Sequence, residues 1–175
     1  MSEGRLESSR NFANKLWNSA RFVLTVIERE GVRDNWMNPD VTHLHDRWII
    51  SRLNTVTAEV NRHMEAFQFG DAQKEIHDFL WNEYCDWFIE LAKIRIASGS
   101  EGNPIPVLIF TLERTLRLLH PFMPFITEEI WGILCESVGT PDDWEEALIV
   151  SEYPVMREDF YDIQSEEEMN LLFEL

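Results

Sequence analysis

LESSRNFANKLWNSARFVLTVIER, residues 6–29, sorts its side chains by chemistry when wound at about 100° per residue. Phe12, Ala13, Leu16, Trp17, Ala20, Val23, Leu24 and Ile27 fall on one side. Arg10, Asn11, Asn14, Lys15, Asn18 and Arg21 fall on the other, with Phe22 among them. The apolar side predicts a long amphipathic helix laid on a core. The polar side is less ordinary, because it carries no acid between Glu7 and Glu28 in a chain with 32 acidic residues. Cations neutralise phosphates, amides pair with base edges, and an exposed ring stacks on a base. The back of this helix therefore has the equipment of an RNA-binding surface.

Outward from this stretch the pattern stays helical. The first helix is expected from about Leu6 to Glu30, stopped by Gly31. Asn38-Pro39-Asp40 reads as a turn. A second helix is expected from Thr42 to Phe67, with Trp48, Ile49, Leu53, Val56 and Val60 on its apolar stripe. Gly70 breaks the chain and Asp71 is the predicted N-cap of a third helix, Ala72–Ala97. Its predicted buried stripe is Ile76, Phe79, Leu80, Tyr84, Trp87, Phe88, Leu91 and Ile94. A fourth helix follows from Pro104 to His120, and a fifth from Pro124 or Thr127 to Val138. Ala147–Val150 reads as a short strand, and Ser165 with Glu168 as a capping box opening a helix cut short at Leu175. The fold class predicted is all-α: an antiparallel bundle of about five helices over residues 1–140. Residues 141–175 are expected to form a short irregular acidic tail, a linker and the truncated start of a C-terminal segment.

With 175 residues the chain suits one domain with a sizeable core, and seven tryptophans must fill much of it. No apolar run approaches membrane-spanning length, and the N-terminus has no signal-like region. Cys85 and Cys135 sit inside helical patterns and read as buried, reduced thiols of a cytoplasmic protein. The net charge of −17 argues against nucleic acid until its distribution is considered. Six basic residues face four acidic ones before Asp34, whereas one basic residue faces fifteen acidic ones after Phe125. Screening over about 8 Å lets a locally positive site survive a repulsive total.

Asn11, Lys15, Asn18 and Phe22 are spaced 4, 3 and 4 apart, so they project from one stripe. This stripe reads as base-contacting, with Arg10, Asn14 and Arg21 flanking it for phosphates. The competing reading is a solvated face with one stray aromatic. His43, His45 and Asp46 point to different sides of a helix and predict no shared metal. His77-Asp78 and His120 have no nucleophile at productive spacing, and His120 is expected to cap the fourth helix. Glu128 and Glu129 suit a helix N-terminus. No phosphate loop, catalytic serine set or zinc motif is present, so no catalytic residue is assigned and no metal is expected. The residues alone also leave open a helical protein-interaction module whose acidic tail recruits basic partners.

Four blocks carry a resemblance. Residues 10–22, RNFANKLWNSARF, resemble the start of the anticodon-binding domain of bacterial-type valyl-tRNA synthetases. Asp46-Arg47-Trp48-Ile49 with Ser51-Arg52-Leu53, and residues 77–93, HDFLWNEYCDWFIELAK, are similar to its next two helices. Residues 118–131, LLHPFMPFITEEIW, resemble a signature shared with variations by isoleucyl and leucyl enzymes, which stand as the alternative. The resemblance covers about residues 5–154 and implies a helical bundle that grips the anticodon arm of valine tRNA as a monomer, away from membranes. It implies that Lys15 helps read the middle anticodon base, that Phe22 stacks on it, and that Arg5 is the nearest match to an upstream family arginine. The whole family enzyme joins valine to its tRNA using ATP and magnesium in a catalytic domain. That domain's His-Ile-Gly-His and Lys-Met-Ser-Lys-Ser signatures are absent here, as are the editing domain and the C-terminal coiled coil. No cofactor is expected in this segment.

Overall fold

The computed structural model describes residues 3–32, 36–99, 102–139 and 144–174, without the side chains of residues 3, 5 and 6. The described residues are helical, with no strand among them. Helix α1 (Glu3–Glu30) ends where Gly31, at φ +78°, closes the last turn by donating its N–H to the Ile27 carbonyl at 2.8 Å. Helix α2 (Leu44–Glu65) leads through a tight corner into α3 (Phe69–Asp78). From α3 the chain runs on without a break through a π-helical stretch (Phe79–Phe88) into α4 (Ile89–Ser98). These three pieces make one rod, residues 69–98. Helices α5 (Ile105–Leu119) and α6 (Pro124–Val138) complete the bundle, and α7 (Ile163–Phe173) lies against α2.

The core is where the amphipathic stripes meet. Leu16, Ala20, Val23 and Ile27 of α1 are buried with Trp48, Ile49 and Val60 of α2, Leu80 and Phe88 of the rod, and Leu108, Leu112 and Leu116 of α5. Helix α5 is apolar on nearly all sides because it is surrounded; its Leu108 carbonyl accepts a hydrogen bond from the buried Tyr84 hydroxyl at 2.8 Å.

Several expectations are corrected. The corner between α2 and α3 is made by Phe67, not Gly70. Phe67 sits at φ +57° and is 80 % exposed, and Gln68 follows it as the N-cap position where Asp71 was expected. A left-handed conformation costs a residue with a Cβ about 1–2 kcal/mol, and asparagine tolerates it best after glycine. Phe67→Asn is therefore expected to stabilise the fold by about 1 kcal/mol, read as a higher urea midpoint at unchanged slope. A lower midpoint would mean that the exposed ring carries more than the backbone loses.

Residues 148–150 form a single 3-10 turn instead of a strand, because the Leu148 N–H is taken by the Glu128 carboxylate at 2.8 Å. Asp162, not Ser165, caps α7 by accepting the Ser165 N–H at 3.0 Å. His120 ends α5, and its ring reaches the Thr127 hydroxyl of α6 at 2.8 Å. Trp17, Trp87 and Ile94, expected on buried stripes, are exposed. Leu80, Tyr84 and Phe88 of the rod's stripe are buried as expected. For Trp87 and Ile94 the reason is pitch, because i→i+5 turns advance less per residue than α-helical ones and the α-helical register has drifted by Trp87.

The acidic C-terminal stretch does not trail from the bundle. Met169 and Ser165 are buried. Asn54 brackets the Arg157 backbone, donating to its carbonyl and accepting its N–H, both at 2.8 Å. Arg47 meets Asp162 at 3.2 Å, and Arg52 meets Glu166 at 3.3 Å while also gripping Glu83 at 2.7 and 3.0 Å. Asp162 and Glu166 are thus paired with arginines of α2.

Candidate nucleic-acid interface

The polar back of α1 is one wall of a groove, and the rod is the other. Arg10, Asn11, Asn14, Asn18 and Arg21 are exposed, whereas Lys15 and Phe22 are half-buried where the two helices approach. The side chain of Arg5 lies outside the described residues. One end of the groove, about 500 Å³, is lined by Asn11 and Ser8 against His77, Asp78, Trp81 and Asn82. The other end, about 320 Å³, is lined by Lys15, Asn18 and Phe22 against Asp86, Glu90 and Lys93. The predicted stripe is divided between the two ends, Asn11 lining the first and Lys15, Asn18 and Phe22 the second.

Lys15 bridges the walls. Its ammonium contacts the Asp86 carboxylate at 2.5 Å and lies 4.7 Å from the centre of the Trp81 ring. Trp81 belongs to a short aromatic column in which Phe12 stacks on His77 at 4.6 Å and His77 stacks on Trp81 at 5.8 Å. Phe22 packs at the edge of the core, with the Lys93 ammonium 5.2 Å from its ring centre. Lys93 also pairs with Glu90 at 2.7 Å, one turn away on the rod. Burial pushes the Cys85 thiol of the groove floor up to about 11, so it is neutral at physiological pH and unreactive.

Sequence reasoning placed the α1 wall and missed the facing one. His77 carries no catalytic partner at productive spacing, and Trp81, Asp86 and Lys93 face α1 only once the two helices are packed side by side. The signal that could have found them was the surplus of aromatic and polar residues in residues 77–93, too many for one buried stripe. Other candidate chemistry is absorbed by structure. Asp46 is clamped by Arg95 at 2.6 and 3.0 Å, and no group of three or more His, Cys, Asp or Glu among the described residues is placed to hold a metal. No helix among the described residues is long and apolar enough to cross a membrane.

The edges of the groove carry amides, the cations Lys15 and Lys93, and the acids Glu7, Asp78, Asp86 and Glu90. Aromatic rings and amides in such a groove can receive unpaired nucleotides. Residues 46–175 match the family described as the anticodon-binding domain of tRNA ligase. The chain belongs to that family. Helix α1 lies outside the matched range, but similarity of this anticodon-binding domain to individual proteins includes it. A valine–tRNA ligase of Dehalococcoides mccartyi is 46 % identical over 177 residues, covering 100 % of this chain and 19 % of that protein. The valine–tRNA ligase of Enterococcus faecalis is 37 % identical over 174 residues, covering 98 % of this chain and 19 % of that protein. The chain thus spans about a fifth of the length of these relatives. Among solved structures, an Agrobacterium radiobacter LeuRS in a ternary complex with tRNA and LeuAMS superposes with a TM-score of 0.61 at 19 % identity. It covers 89 % of this chain and 17 % of that one, and shares the fold of the anticodon-binding domain.

Proposed function

We propose that this chain is the anticodon-reading module of a valine–tRNA ligase and that the groove between α1 and the rod takes the unpaired anticodon nucleotides. The observation that carries the reading is the alignment of Asn11, Lys15, Asn18 and Phe22 along one groove wall, opposite Trp81 and Lys93. Phe22 stacks on the middle anticodon base and Lys15 donates a hydrogen bond to it. Asn11 and Asn18 assist with base edges, and Arg10, Asn14 and Arg21 hold the backbone, with Arg5 extending that contact upstream. Valine anticodons share adenosine and cytidine at their second and third positions, so those bases are the target. The module works as a monomer in the cytoplasm and holds no cofactor; the ATP and magnesium of the ligation act in the catalytic part of the whole enzyme. The interaction-module reading is weakened where Arg47 and Arg52 already pair with Asp162 and Glu166.

Base stacking is worth about 1–3 kcal/mol, so Phe22→Ala is expected to weaken binding of the valine anticodon stem-loop about 5- to 150-fold. Glu129→Ala, on the exposed side of α6, is expected to leave it unchanged. Equal losses from the two variants would remove the stacking claim. Tighter binding of an isoleucine or leucine anticodon would transfer the module to one of those enzymes.

A further inference from the structure

Lys15 and Lys93 in the groove, and Arg10 on the exposed back of α1, each have an acid beside them. Arg10 has Glu7 at 3.9 Å and Lys93 has Glu90 at 2.7 Å, each pair on a single helix. Lys15 and Asp86 differ, because their pair joins α1 to the rod across the groove at 2.5 Å. A bare lysine is a point charge that binds phosphate wherever it meets one. A neutralised lysine gains little from phosphate but keeps hydrogen bonds to give. The ammonium has three donors; Asp86 Oδ1 takes one, and the indole face of Trp81 fixes the direction of the group.

We propose that Asp86 is a positioning residue that makes Lys15 read a base instead of a phosphate. The inference rests on the anticodon-reading function above. By cancelling the charge of Lys15 and holding it beside Trp81, Asp86 leaves two oriented donors on the ammonium, useful to a base acceptor at one place in the groove. Any RNA offers phosphates, but only the right loop offers that acceptor there. Asp86 therefore sets selectivity by suppressing a non-specific contact. Its side chain is 47 % exposed, so its replacement leaves the core untouched.

The test is binding as a function of salt, for wild type, Asp86→Asn and Asp86→Glu, to RNA stem-loops carrying the valine anticodon or a swapped one. A partly exposed pair is worth a factor of about 1.4 to 5. Asp86→Asn is expected to bind the swapped loop up to about fivefold more tightly and to narrow the ratio between the loops. The slope of log affinity against log salt is expected to steepen by about 0.7, one added phosphate contact to a single strand. Asp86→Glu keeps the charge and is expected to keep the wild-type slope. Two results overturn the proposal alone: an Asp86→Asn protein with wild-type ratio and slope, or Asp86→Glu and Asp86→Asn shifting alike. Wild type that binds neither loop, or both equally, overturns the anticodon reading and this inference with it.

Discussion

Arg95→Met is expected to lower the unfolding free energy by about 3–5 kcal/mol, a third or more of the stability of an ordinary domain. Asp46, in the first turn of α2, is 2 % exposed, and both its oxygens are held by the Arg95 guanidinium at 2.6 and 3.0 Å. The same guanidinium reaches the Gly102 carbonyl at 3.3 Å. Gly102 must come this close: at φ +82°, a Cβ there would stand 1.9 Å from the His43 ring. One arginine thus gathers the start of α2, the end of the rod and the connection into α5. Without it, a carboxylate sits in the interior with no counter-charge, which costs far more than the pair itself contributes. The effect is read in urea denaturation, with Asp46→Leu/Arg95→Met as the control. The double variant is expected to recover most of the loss, because it removes the stranded charge. A loss below about 1 kcal/mol in the single variant would show that water reaches the carboxylate.

Trp131→Ala is expected to cost about 3–5 kcal/mol, the range for deleting a buried aromatic. Trp131 on α6 is fully buried and stacks on Trp144 at 4.3 Å. The Arg117 guanidinium lies 4.9 Å from its ring centre, and its indole N–H donates to the Glu145 carbonyl at 3.4 Å. Trp144 in turn meets Trp36 edge-on at 5.1 Å. The indole therefore joins α6 to two connecting segments that carry little regular structure of their own. Beneath it, Glu113 is 3 % exposed between Arg117 and Arg114, and burial holds its carboxyl above the usual range. Removing the indole admits water to this cluster as well as opening a cavity. Thermal unfolding and a red-shifted tryptophan emission report it. An unchanged midpoint would mean that α6 closes over the gap.

The fold was legible where one periodicity ran uninterrupted. Helix α1 keeps one periodicity for 28 residues, so most of its core face and its polar back could be placed, although Trp17 is exposed and Val26 and Ser19 are buried. The ends of α5 and α6 followed from Pro104, Pro121 and Gly139. Along the rod Leu80, Tyr84 and Phe88 were legible as core, but Trp87 and Ile94 were not, because no composition rule announces a change of pitch. The corner at Phe67 was hidden because a left-handed phenylalanine contradicts its own local preference. The docking of α7 was hidden because a run of glutamates looks the same in water as it does opposite Arg47 and Arg52. The candidate site divides the same way. A stripe on one helix is a local pattern, whereas its partner wall required knowing which helices lie side by side.

The π-helical stretch gives neighbouring residues opposite allegiances. Asp86 holds Lys15 of the first helix, while the next residue, Trp87, meets Phe173 of the last at 4.3 Å. Winding this segment to ordinary pitch would swing the carboxylate and the indole away from their stations together. The rod thus works as an axle with a fixed twist: the seating of the C-terminal helix and the opening of the groove cannot be adjusted independently.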